Sequence, residues 1–116
     1  MDKLYHYRAH VLSVYDGDTA TLDFDLGMKM MIKKERVRLS RINAPEVRGK
    51  EKVEGKLSRD FLKSIILGKD IIVKTLKDKK GKYGRYIVEI QVEIDGKMIN
   101  VSDLMVREGH AIYKEY

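Results

Sequence analysis

Val88, Ile90, Val92 and Ile94 alternate with Glu89, Gln91 and Glu93, and a period of two is satisfied only by a strand that buries one face. Tyr86 to Ile94 is therefore a strand. The same alternation, broken by turn residues, recurs towards the amino terminus. Residues 7 to 15 read as a strand through Val11, Leu12 and Val14, and Asp16-Gly17 turns the chain into a second strand from Thr19 to Phe24. Asp25-Leu26-Gly27 predicts the next turn, and a third strand runs from about Met28 to Leu39, with a polar middle at Lys33-Lys34-Glu35 that predicts a bend or bulge. Ile71 to Leu76 is a short β-branched strand.

One segment breaks the period. Val53, Leu57, Phe61 and Ile65 recur every four residues with Leu62 and Ile66 beside them, and Gly68 follows, so residues 51 to 67 are expected to form an amphipathic helix with that stripe inward. Asp95-Gly96 marks a turn, Asn100 can cap a short helix from Val101 to Glu108 that Gly109 closes, and His110 to Tyr116 reads as a final extended segment. Five main strands, one helix between the third and fourth and a short helix after the fifth is the order of a five-stranded Greek-key barrel of the OB type. At 116 residues, 43% of them hydrophobic, the chain is expected to be one domain over residues 1–116, burying roughly two-thirds of its unfolded surface.

The absence of cysteine excludes disulfides, thiolate metal sites and a cysteine nucleophile, so any metal must be held by oxygen or imidazole. His6, His10 and His110 are too scattered to suggest zinc. Residues Met1 to Arg8 hold no apolar run suited to a signal peptide and no later run approaches membrane-spanning length. A cytoplasmic protein with no membrane partner is the default expectation, although a mature secreted chain would look the same. A formal net charge of +6 favours a polyanionic partner, and Lys77 to Arg85 carries most of the excess, with five cations against one anion.

Val37 to Glu46 combines the features that carry chemistry. Period two puts Val37 and Leu39 on one face and Arg36, Arg38 and Ser40 on the other, and Pro45, the only proline, ends the pairing. Asn43 and Glu46 then sit on stiff, irregular backbone that limits how their oxygens are aimed. Asp16 and Asp18 flank Gly17 on the hairpin turn; carboxylates there commonly bond their own backbone, but set beside Asn43 and Glu46 they would suit calcium or magnesium. Arg38 and Arg85 are candidate phosphate clamps, since guanidinium offers paired donors and stays charged. Gly81-Lys82-Tyr83-Gly84-Arg85 resembles a phosphate-gripping loop without the lysine-serine/threonine ending of a P-loop. Tyr113, with Tyr116, is a candidate for stacking on a base.

Taken together, four blocks in order resemble the staphylococcal nuclease-like (thermonuclease) domains: Val14-Tyr15-Asp16-Gly17-Asp18-Thr19, Val37-Arg38-Leu39 leading to Ala44-Pro45-Glu46, Asp78 through Lys82-Tyr83-Gly84-Arg85, and Asn100 through Leu104-Val106-Arg107-Glu108-Gly109. The resemblance spans about residues 9 to 113. It implies an OB barrel and a metal-dependent phosphodiesterase, an endonuclease using one calcium ion. It makes Asp18 a carboxylate ligand, Asn43 the second side-chain ligand and Ala44 the carbonyl ligand, with Asp16 behind them. Glu46 would orient or deprotonate the attacking water, Arg38 and Arg85 would hold the scissile phosphate, and Lys82 and Tyr83 would contact an adjacent phosphate. The implied partner is single-stranded DNA or RNA, cut to leave 3′-phosphate ends by a monomeric enzyme.

Two features depart from the family pattern: the carboxyl-terminal extension is short, so that Tyr113 and Tyr116 do not align cleanly with the family's base-stacking tyrosines, and one ligand position differs. Asn43 stands where the family usually has aspartate, so the site loses a formal negative charge and should bind calcium less tightly. That departure, with the basic loop, keeps open the alternative of a non-catalytic OB module that binds nucleic acid or a protein.

Overall fold

The computed structural model describes residues 5–80 and 85–114, with residues 77–80 described by their backbone alone. Three long strands, β1 (His6–Asp16), β2 (Thr19–Gly27) and β3 (Met30–Leu39), meander antiparallel. The short β4 (Ile42–Asn43), a 3₁₀ turn (Gly49–Glu51) and helix α1 (Lys52–Ile66) follow, then β5 (Asp70–Lys80), β6 (Tyr86–Ile94), β7 (Lys97–Asn100), α2 (Val101–Arg107) and β8 (Ile112–Tyr113). β5 pairs antiparallel with both β1 and β6. Parallel pairing of β3 with β6, through Val37–Tyr86, Arg38–Ile87 and Leu39–Val88, closes a five-stranded mixed barrel. Inside it, Leu22, Leu39, Val73 and Ile90 meet Leu62 and Ile66 of α1 and Met105 of α2, all fully buried. Among the described residues no helix is long and apolar enough to cross a membrane.

Several sequence-based boundaries move, each for a physical reason. β2 runs on to Gly27 and the turn falls on Met28 and Lys29, both with positive φ (54° and 66°), rather than on Asp25-Leu26-Gly27. Left-handed residues at both turn positions match the twist of the flanking strands. The bulge lies where the polar middle of β3 suggested: Leu22 faces Glu35 but Phe24 faces Ile32, so Lys33 and Lys34 oppose Asp23 alone. Lys34 takes φ 56°, and its N–H donates to Asp23 Oδ1 at 2.8 Å. β8 falls within the final extended segment expected from His110 to Tyr116, whereas β4 and β7 carry no sequence signal because strands of two to four residues show no period; β4 and β8 pair as a small ribbon and β7 pairs with β6.

The face of α1 is the main correction. Val53 and Leu57 are 70% and 59% exposed, while Gly55, Ser58, Leu62, Ile65 and Ile66 are buried. Close approach decides the rotation. A Cβ on Gly55 would lie 1.9 Å from the carbonyl oxygen of Glu46, and one on Gly17 would lie 1.9 Å from Ser58 Oγ. The first half of the helix thus turns its smallest residues, not its largest apolar ones, towards the two loops that carry Asp16, Asp18 and Glu46. Ser58 Oγ also donates to the His110 carbonyl at 2.8 Å.

Candidate functional site

Barrel closure gathers the polar residues. Thr19 and Arg38 are register partners across β2 and β3, and Arg85 lies just ahead of Tyr86, where β6 joins β3. A cleft of about 450 Å³ is lined by Asp16, Asp18, Arg38, Asn43, Ala44, Glu46 and Arg85, with Thr19, Tyr15, Val47 and Arg48 completing it. Seven residues singled out in the sequence therefore share one cleft. Lys82 and Tyr83 lie outside the described residues. Tyr113 is not among the residues lining the cleft; its hydroxyl donates to Asp103 Oδ1 at 2.9 Å, and its ring lies 6.0 Å from the Arg41 guanidinium.

Asp18, 4% exposed, is the centre of the hydrogen bonding. Its Oδ2 accepts from Arg38 Nη2 at 3.0 Å and from the Ala44 N–H at 2.9 Å, and its Oδ1 accepts from the Thr19 hydroxyl at 3.1 Å. These bonds tie the β1–β2 turn to the loop after β4. Arg38 is itself strongly held: Nη2 also donates to Asn43 Oδ1 at 3.0 Å, and Nη1 donates to the carbonyls of Ile42 at 3.2 Å and Leu39 at 3.4 Å. Arg85 Nη1 donates to Thr19 Oγ1 at 3.3 Å, which makes Thr19 the relay between Asp18 and the second arginine. Asp16 accepts the Asp18 N–H at 3.1 Å. Burial pushes its pKa up to about 7, and the hydrogen bond and negative charge of Asp18 add to the rise. Glu46 sits exposed at the rim, its position set by the Gly55 approach.

The donor chemistry bears on a metal. Asp18 Oδ2 and Asn43 Oδ1 both lie 3.0 Å from the same guanidinium nitrogen, so two oxygens converge on one cationic point. There Arg38 Nη2 stands in for a cation, and an all-oxygen set of this kind fits a hard ion such as calcium. Among the described residues no three histidine, cysteine, aspartate or glutamate side chains cluster as a metal site. Any ion here would rest on one buried carboxylate, a neutral amide and carbonyl oxygens, which is a weakly charged set.

A second network stands behind the loop. Arg41, at φ 65°, donates Nε to Glu89 Oε2 at 2.8 Å, Nη2 to Glu89 Oε1 at 3.0 Å and Nη1 to Asp103 Oδ1 at 3.0 Å. Asn100 Nδ2 and the Ser40 hydroxyl also donate to Glu89. Burial alone would raise the Glu89 pKa, but the donors from Arg41, Asn100 and Ser40 outweigh it and hold the carboxyl below its ordinary value. Arg41 likewise lowers Asp103. Neither this network nor the roles of Thr19 and Gly55 were anticipated. Thr19 was visible within the Asp16-Gly17-Asp18-Thr19 motif, whereas partners 48 and 62 residues apart leave no local pattern.

A barrel whose open cleft presents carboxylates beside two arginines has the paired donors that a phosphate group can accept. The family description "Staphylococcal nuclease homologue" matches residues 36–116, and the chain belongs to that family. No curated protein matches the chain. Family membership makes it a nuclease or nucleic-acid-binding domain.

Proposed function

We propose that the protein is a calcium-dependent nuclease that hydrolyses phosphodiester bonds of DNA or RNA. The observation that carries this reading is the convergence of Asp18, Arg38, Glu46 and Arg85 on one open cleft. Arg85 and Arg38 would grip the scissile phosphate and stabilise the charge that grows on its equatorial oxygens. Arg38 must turn part of its fork away from Asp18 and Asn43 to do so, and the two non-bridging oxygens of the phosphodiester offer it the bidentate partner that makes the exchange favourable. Glu46, on the rim, would take a proton from a water aligned opposite the leaving 5′ oxygen, leaving a 3′-phosphate end. Asp18, Asn43 and the Ala44 carbonyl would hold one Ca²⁺, with Asp16 behind them. When bound, the ion supplies a further withdrawal of charge from the phosphoryl group. Lys82 and Tyr83 would contact a neighbouring phosphate, and the substrate would be a single strand.

The test is cleavage of single-stranded DNA and of RNA with calcium, with a chelator, and by Glu46→Gln. Calcium-dependent cutting lost in Glu46→Gln is the expected result; cutting that ignores the chelator would sink the metal-assisted reading.

A second reading has its own observation. Asn43 is neutral, and Arg38 already satisfies both Asp18 and Asn43, so the cleft is internally compensated as a binding module would be. Asn43→Asp separates the two readings: a nuclease with a weakened site should gain calcium affinity and rate, and a pure binding module should gain no cleavage.

A further inference from the structure

We propose that the tip of the β2–β3 hairpin is a self-association surface on which a second copy of this chain docks. Along the inward positions of β2, burial fades from Leu22 (0% exposed) through Phe24 (4%) to Leu26 (37%), so the hairpin outruns the packed core. Beyond it the apolar side chains continue into solvent: Met28 is 94% exposed, and Met30, Met31 and Ile32 are all exposed. Beside them Tyr5, Tyr7, Phe24, Leu26, Ile32 and Tyr86 line a hollow of about 460 Å³ that has no charged residue among its described lining. A protruding thioether knob next to an aromatic hollow is self-complementary, since methionine sulfur packs well against ring edges.

Charge selects the occupant. From Asp23 to Glu35 three carboxylates match three ammonium groups, in a chain that carries +6. The neighbouring hollow on the outer face of this arm is mixed in charge, with Asp23, Asp25, Asp70 and Glu93 beside Arg8 and His10, and Lys33 bridges Asp23 at 3.5 Å. An arm of no net charge offers a polyanion or an anionic membrane no net attraction, whereas two copies that each carry +6 can approach at these neutral arms. Backbone supports the same partner. β3 pairs with β2 along one side, but on its other side only Val37 to Leu39 pair with β6, so Met30 to Ile32 present an open edge among the described residues. Two such edges, antiparallel about a twofold axis, would join two hairpins into one ribbon and lay each Met28 over the other copy's aromatic hollow. The Lys33–Lys34 bulge ends that edge, so the contact stays short and closes as a dimer. The surface lies roughly 25 Å along β2 from Thr19, and the proposal does not depend on the nuclease reading.

Sedimentation velocity from low to high micromolar protein, at low and at high salt, tests this. The wild type should pass from the 13.5 kDa of one chain towards twice that mass, and salt should strengthen the association by screening like charges. Met28→Asp and Met30→Asp, at solvent-exposed positions, should weaken it by about tenfold or more with unchanged thermal melting, and Met30→Leu should retain it. A wild type that keeps the mass of one chain throughout, or aspartate variants that associate equally well, would overturn the proposal. So would aspartate variants whose only defect is weaker binding of a single-stranded oligonucleotide or an anionic vesicle, an outcome that reassigns the surface to that partner.

Discussion

Arg38 and Arg41 stand three residues apart at the end of one strand and do opposite work. Arg38 faces the cleft with one carboxylate, one amide and two carbonyls as partners. Arg41 faces away from the cleft, and two carboxylates and the Asn100 amide saturate it. A guanidinium enclosed by two anions has no reason to leave them, so Arg41 is a fastener. One whose described carboxylate, Asp18, is shared with the Thr19 hydroxyl and the Ala44 N–H is the one proposed to exchange it for a phosphate. Charge balance around an arginine, rather than its exposure, separates holding from handling: Arg41 is the more exposed of the pair, with 45% of its side chain accessible against 11% for Arg38.

The largest effect should fall on the cleft side. Arg85→Ala should slow cleavage by about a hundredfold, the scale for removing one donor to transition-state charge, with little change in melting temperature. An unchanged rate would remove Arg85 from the site. Next comes the support under Glu46. Gly55→Ala sets a methyl against the Glu46 carbonyl, and should cost about 1–3 kcal/mol of stability and lower the rate of the folded fraction; a neutral result would show that the helix can shift without moving Glu46. On the fastening side the order reverses. Arg41→Ala should cost about 2 kcal/mol, because half-buried Glu89 loses its cation, while turnover by the folded fraction changes less than for Arg85→Ala. A larger rate loss than that would collapse the distinction between the two arginines.

The smallest effect is a pH dependence. The folded pKa of Glu89 lies below the ordinary 4.5, so as the pH falls through that value the unfolded chain binds the proton first, and stability present above pH 4.5 is lost below it. Melting temperatures from neutral to acid pH should fall less steeply for Glu89→Gln than for wild type. Parallel curves would take Glu89 out of the acid response.

The strand from Tyr86 to Ile94 was legible to the residue, because one face is buried and the other wet, and the bulge was legible in three consecutive polar residues. The cleft was legible as well: Asp18, Arg38, Glu46 and Arg85 lie in short ordered blocks, and barrel closure brings them together. What stayed hidden depends on shape and distance. Gly55 and Ser58 are not apolar, so a search for greasy stripes chose Val53 and Leu57. Arg41 finds Glu89 and Asp103 only after the chain has folded. The exchange state of Arg38, bonded to the very oxygens expected to take a metal, is a matter of angstroms that no spacing encodes.

Closure of the barrel by only three residue pairs between β3 and β6 carries a consequence for the life of the molecule. Arg38 and Arg85 are distant in the chain, and the loop joining their strands must close before both can face one phosphate, a late and entropically costly event in folding. A copy whose β3 and β6 have not met can form the Asp18, Arg38 and Ala44 contacts within its first strands but has no Arg85 beside them. If the proposed nuclease reading holds, cleavage requires that closure, so an incompletely folded copy would be harmless to the nucleic acid around it.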